Sequence, residues 1–239
     1  MSDAIYKKSF SLFLKNTDEK TVIKKFIEQN ISLNKGANFL DIGGGSGFLA
    51  KEISKKVKRT ILIEPNKFFC EKLVNNKKIK VINKKWEDVE LKEKFDFILA
   101  AYVVTYFPKK EINNLIKKMY NLLSPGGCIL ILSVDSKKGS WRKIHTYFYN
   151  LIGIIHESSD SLLNSVIKKY NFSSKSFITH IYAKDSDEML KILTFDFHKY
   201  PDYFTKYYKK LTVFLEKSID KDNKVILEMT HNAYIIYKK

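Results

Sequence analysis

"FLDIGGGSGFLA", residues 39–50, decides the fold. An apolar strand runs into Asp41, four glycines fill five positions from Gly43 to Gly47, and Phe48 opens what reads as a helix. A bare turn between a strand and a helix offers a ligand unobstructed N–H groups and the positive end of the helix. The spacing excludes two common uses of that physics. A dinucleotide fingerprint needs a glycine where Phe48 stands, and a P-loop needs Gly-Lys-Ser/Thr where Gly47 is followed by Phe48 and Leu49. Asp41 would also repel a pyrophosphate, whereas it suits a ligand that carries positive charge.

Working outward, the next apolar strand ends at Glu64, placed as an acid that accepts both hydroxyls of a ribose would be. Ribose recognition without pyrophosphate machinery, beside an acid for a cation, describes S-adenosylmethionine. "KKWEDVEL", residues 84–91, follows the third strand, where an adenine amino group would be held, with Trp86, Glu87 and Asp88 as candidates. Taken singly, Asp41 or Glu64 can equally cap a helix or pair with a lysine.

Short apolar runs alternate with amphipathic segments. The pattern predicts strands at 38–42, 60–64, 80–83, 95–101 and 128–134, and helices at 21–30, 46–57, 66–75 and 109–123. Continuously apolar strands such as "FDFILAAYVV" fit a sheet covered on both faces, and the alternation implies a parallel, doubly wound α/β sheet. Beyond Val134 the chain becomes aromatic-rich. A helix capped near Ser159 or Asp160, a strand at 176–183, a helical pair and a last strand in "KVILEMTHNAYIIYKK" suggest an antiparallel edge plus a helical lid. We expect one domain: a cap over 1–36, a cofactor core over 37–135, and a lid with the last strands over 136–239, the break near residue 185 marking an insertion.

The net charge is +17, yet only Arg59 and Arg142 are arginines and 41 lysines are spread along the whole chain. Bidentate phosphate and base recognition favours arginine, so the charge reads as solvated helix faces and argues against nucleic acid as the partner. The opening residues carry Asp3 and an apolar patch too short for a signal peptide, and no apolar run is long enough to span a bilayer. Cys70 and Cys128, without metal-ligand spacing, suggest reduced thiols in a cytoplasm, and no metal is expected.

"LDIGGGSG", "ILIEPN", "KWEDV", "FDFILAAYVVTYF" and "LLSPGGCILIL" stand in the order of the class I S-adenosylmethionine-dependent methyltransferases, which this chain resembles over residues 38–134. The resemblance implies a Rossmann-like fold with a mostly parallel seven-stranded sheet and an antiparallel final strand. It also implies that Asp41, Gly43, Gly45, Gly47, Glu64, Trp86, Glu87, Asp88 and Ala101 hold the cofactor, which leaves as S-adenosylhomocysteine. Outside the core, "YKKSFSLFLKNTDEKTVIKKFI", "GSWRKIH" and "KVILEMT" are similar to the histamine N-methyltransferase group, whose N-terminal segment lies over the active site. The substrate positions depart from that pattern. Lys8, Tyr102 and Met229 stand where that group has a glutamate, a glutamine and an asparagine, and a lysine repels an ammonium. Histamine itself is therefore not the expected acceptor.

The expected activity is methyl transfer to a nitrogen of a small amine or heteroaromatic ring, by a monomer or small homo-oligomer away from any membrane. Tyr6, Phe10, Tyr102, Tyr106, Trp141 and Met229 are candidates for an aromatic substrate box, which also suits a sulfonium, and Lys8 would meet a carboxylate or phosphate if it faces inward. Methyl transfer needs alignment and exclusion of water more than acid–base help. An ammonium acceptor must first lose a proton, and His145 is the candidate base; His156, His180, His198 and His231 have no better context. The alternatives are methylation of RNA or protein, although the stretch "AAYVVTYF" lacks the Pro-Pro signature of base methylases, and a cofactor-binding regulator without turnover.

Overall fold

The computed structural model describes residues 3–71, 73, 76–155 and 159–239. Its strands are β1 (Asn38–Ile42), β2 (Arg59–Ile63), β3 (Ile79–Ile82), β4 (Phe95–Ala101), β5 (Leu123–Val134), β6 (Asn171–Ala183) and β7 (Val225–Tyr237). The helices are α1 (Asp3–Lys15), α2 (Glu19–Asn30), α3 (Phe48–Ile53), α4 (Lys67–Glu71), α5 (Ile112–Asn121), α6 (Ser140–Leu151), α7 (Ser159–Ile167), α8 (Ser186–Leu193), α9 (Pro201–Lys206) and α10 (Tyr208–Leu215). The seven strands lie in the order β3-β2-β1-β4-β5-β7-β6, with β1 to β5 parallel to one another and β7 antiparallel to β5.

The chain divides into two compact units, 23–134 with 158–177 and 231–239, and 1–22 with 135–157 and 178–230. The first holds the parallel strands. Alternate residues of these strands face opposite ways, and both faces are apolar. Leu40, Ile42, Ile61, Ile63, Ile98 and Ile131 pack with α5 (Leu115, Ile116, Met119) and α7 (Leu163, Ile167). Phe39, Leu62, Phe97, Leu99 and Leu130 pack with α2 (Ile23, Phe26, Ile27) and α3 (Leu49, Ala50, Ile53). This double coverage is why the strands read as continuous apolar runs. Burial of each such side chain contributes roughly 1.5–3 kcal/mol.

In the second unit, Phe13, Met189, Leu190, Leu193, Phe197, Leu211 and Leu215 are buried, with Phe148 and Phe197 rings 4.3 Å apart. Helix α8 starts on a local exchange of hydrogen bonds. The Glu188 N–H donates to Asp185 Oδ1 at 2.7 Å, while Glu188 Oε2 accepts from the Lys184 N–H at 2.7 Å.

Several boundaries differ from those the sequence predicts. The helix expected at 46–57 begins at Phe48, because Gly47 adopts φ 69° and turns the chain there, and ends at Ile53, after which the Ser54 hydroxyl bonds the Lys51 carbonyl. The helix expected from Lys109 starts as a 3-10 turn after Pro108 and becomes α5 only at Ile112. Strand β5 begins at Leu123 rather than Cys128, since "SPGG" is absorbed as an irregularity: Phe95 pairs with Leu123 but Phe97 with Cys128. A Cβ on Gly127 would meet three carbonyl oxygens at 3.0 Å, so only glycine passes there without displacement. The helix expected at 66–75 ends at Glu71, with residues 72, 74 and 75 outside those described.

Candidate active site

The turn after β1 is held by backbone bonds and by one carboxylate. The Gly43 N–H donates to Ile63 O at 2.7 Å and the Gly47 N–H to Gly44 O at 2.9 Å. Gly43, Gly45 and Gly47 take φ values of 68°, 51° and 69°, a region costly to other residues. Cβ atoms would strike Val103 Cγ2 at 2.7 Å from Gly43, Leu62 at 2.5 Å and Asp41 Oδ2 at 2.8 Å from Gly44, and Leu73 at 2.6 Å from Gly47. A Cβ on Gly45 would meet nothing within 4 Å, so a side chain there would point into open space. Gly45→Ala is therefore expected to cost about 1 kcal/mol, the left-handed backbone penalty alone. Gly47→Ala, which adds a clash, should cost more; urea midpoints of the two variants check the order.

Glu64 stands one residue past β2, not within it, and is almost buried. Its Oε2 accepts the Gly45 N–H at 2.9 Å and its Oε1 the Asn66 N–H at 2.8 Å. Its own carbonyl takes the Cys70 thiol at 3.2 Å and the Asn83 amide at 2.9 Å. The carboxylate is thus clamped between the Gly45 and Asn66 N–H groups. Each oxygen has used one of two acceptor positions, leaving one on each for a pair of hydroxyl donors. Asp41 is buried inside β1, in register with Leu62 and Leu99. The bare turn and the half-used carboxylate fit the nucleoside of S-adenosylmethionine.

The other cofactor candidates separate. Trp86 is buried in the core beneath the sheet face that carries α5, and its Nε1 has no partner among the described residues. Lys118 lies 4.4 Å from the centre of its ring and donates to the Trp86 carbonyl at 2.7 Å; burial pushes this lysine's pKa down. Glu87 and Asp88 are exposed, and Ala101 is the half-buried last residue of β4.

Tyr102 follows Ala101 and is a non-glycine residue with φ 61°. Its hydroxyl pairs with His231 Nδ1 at 2.9 Å. Tyr106, at the end of the next turn, is 81% exposed.

The remaining candidates belong to the unit formed by 1–22, 135–157 and 178–230. Tyr6 and Phe10 stack along α1 at 6.0 Å, with His198 at the edge of Tyr6, while Lys8 is exposed and Met229 is buried on β7. On α6, the Trp141 and His145 rings lie 3.9 Å apart, tilted by 32°, and one oxygen of Asp196 serves both: the indole N–H donates to it at 3.1 Å and His145 Nε2 lies at 3.3 Å. Phe197 covers the same imidazole at 4.6 Å. Asp196 was not foreseen, because "LTFDFHKY" carries no spacing that ties it to α6. His180 pairs with Asp18 at 3.1 Å, and His156 lies outside the described residues. Burial pushes the Cys128 thiol up to about 11, too high to serve as a nucleophile near neutrality. Among the described residues there is no cluster of three metal-ligating side chains and no helix long and apolar enough to cross a membrane.

Comparison with known proteins agrees with this geometry. A family model described as a methyltransferase domain matches residues 16–175. No curated protein sequence matches the chain. Solved structures share the fold at low identity. A methyltransferase candidate from Bacillus halodurans aligns with TM-score 0.63 and 12% identity over 90% of this chain and 98% of its own. The YcgJ protein from Bacillus subtilis aligns at 0.61 and 14%, covering 92% and 97%. The N-methyltransferase NodS from Bradyrhizobium japonicum, solved with S-adenosyl-L-homocysteine, aligns at 0.55 and 12%, covering 93% and 87%. With the glycine turn, the clamped Glu64 and the sheet order in place, the chain belongs to the methyltransferase-domain family and is an S-adenosylmethionine-dependent methyltransferase.

Proposed function

We propose that this enzyme methylates a nitrogen of a small amine or heteroaromatic molecule other than histamine, as a relative of the histamine N-methyltransferase group. The observation that carries the cofactor half of the reading is the Glu64 carboxylate, held by two backbone N–H groups with an acceptor position remaining on each oxygen. Glu64 and the turn at Gly43–Gly47 would hold the nucleoside, Ala101 would line its site, and buried Asp41 would favour its positive charge. When bound, S-adenosylmethionine supplies a methyl group activated by an adjacent sulfonium. The chain's own task is then to hold the acceptor in line and exclude water.

For the acceptor half, Tyr102 offers a phenol at the carboxyl end of β4, the edge at which parallel sheets bind ligands. Tyr6, Phe10, Tyr106, Trp141 and Met229 are the further candidates for contact with the acceptor. Exposed Lys8 suits a solvated role. His145, packed against Trp141 and bonded to Asp196, fits an orienting role at least as well as that of a base. Two unbridged thiols support a reducing, cytoplasmic setting for a monomer or small homo-oligomer.

The test is a panel of primary, secondary and heteroaromatic amines incubated with the donor, with S-adenosylhomocysteine and the methylated product read by mass spectrometry. At least one amine should give product. Product only from RNA or protein would overturn the small-molecule reading, and tight cofactor binding without turnover on any acceptor would favour a regulator.

A further inference from the structure

The exit of β4 carries a strained tyrosine tied to a buried histidine. We propose that His231 fixes the direction of the Tyr102 hydroxyl, and that Tyr102 thereby selects acceptors whose nucleophilic atom carries a hydrogen to donate. This rests on the reading of the site as one for methyl transfer to nitrogen.

The left-handed backbone of Tyr102, φ 61° and ψ 14°, costs a tyrosine about 1–2 kcal/mol that glycine would not incur. Three bonds hold it there. Its N–H donates to Leu132 O at 2.9 Å, its carbonyl accepts the Thr105 hydroxyl at 2.9 Å, and its own hydroxyl meets His231 Nδ1 at 2.9 Å. The side chain of the next residue, Val103, would lie 2.7 Å from a Cβ on Gly43, so the segment that follows the strained residue packs against the glycine turn. Strain maintained by several independent anchors beside a ligand site points to use of the side chain.

His231 is wholly buried, stands opposite Val134 in the β5–β7 ladder and stacks on Phe177 at 5.0 Å and 22°. A neutral imidazole donates from one nitrogen and accepts at the other. With Nδ1 accepting, the single hydrogen of the Tyr102 hydroxyl is committed to His231. Toward any third group the phenol oxygen is then an acceptor. It pairs with the N–H of a primary or secondary amine and finds no partner on a tertiary one. Tyr102 takes no proton in this scheme; it orients the nitrogen, and His231 is a positioning residue behind it.

The decisive measurement is the nitrogen-15 spectrum of the imidazoles, with the His231 signals assigned by their loss in His231→Asn. The expected result is an unprotonated Nδ1 whose resonance moves in Tyr102→Phe; a protonated Nδ1, or no movement, overturns the proposal. If His231→Asn fails to fold, Tyr102→Phe alone identifies the shifted resonance. On whichever amine the panel yields, Tyr102→Phe should lower kcat at least tenfold while S-adenosylhomocysteine affinity stays within twofold. His231→Asn, which keeps an acceptor near the Nδ1 position, should retain most turnover and His231→Leu should not. Equal turnover in all variants would also overturn it. If no amine is turned over, the nitrogen-methylation reading fails, while the spectrum still decides the tautomer.

Discussion

Replacing Glu64 by alanine is expected to weaken S-adenosylhomocysteine binding by about a hundredfold or more, and to lower the melting temperature of the ligand-free protein as well, because the Gly45 and Asn66 N–H groups lose their acceptor. Hydrogen bonds to a charged acceptor contribute about 1.5–3 kcal/mol each. The two acceptor positions left on Glu64 then account for at least about 3 kcal/mol, and each 1.4 kcal/mol is tenfold in affinity. The substitution also releases the Gly45 N–H, now held at 2.9 Å, so the turn loses the tie that keeps it open toward the ligand. Glu64→Gln keeps one acceptor oxygen and should fall between the two. Calorimetric titration of the three proteins reads the series directly, and unchanged tight binding in the alanine variant would refute the ribose assignment.

Asp160→Ala is expected to destabilise the fold by about 3 kcal/mol or more. Asp160 is a buried carboxylate in the first turn of α7, where the helix end favours negative charge. It accepts the Ser133 hydroxyl at 2.6 Å, the Tyr234 hydroxyl at 2.8 Å and the Asn232 amide at 3.1 Å, joining α7 to β5 and β7. Alanine strands these donors, of which Ser133 and Tyr234 are themselves buried, and each buried orphan costs about 1–3 kcal/mol. Urea unfolding should show the midpoint falling with an unchanged slope. A loss under about 1 kcal/mol would mean that water replaces the carboxylate, and that the network does not anchor α7.

Glu64 was legible as an acid at the end of a strand, because period and burial place strand ends. Its clasp on Gly45, across 19 residues, was not, since it depends on the register that sets Ile42 beside Ile63. Asp160 was legible as a residue of a helix start but not as the hub of a buried network, whose partners lie 27, 72 and 74 residues away. Trp86 is a ligand candidate from its place after β3, and the packing of its ring into the core beside α5, with Lys118 above it, is invisible in "KWEDV".

The order of strands and helices, the apolar runs that demand cover on both faces, and the glycines that only a close backbone turn requires all follow from local composition and spacing. These features are set by short-range sterics and by periodicity, which the chain carries residue by residue. The pairing of Tyr102 with His231, 129 residues apart, and the sharing of Asp196 by Trp141 and His145 belong to the tertiary structure alone. A hydrogen bond is specified by distances of a few tenths of an ångström, and those distances exist only after separate segments have packed.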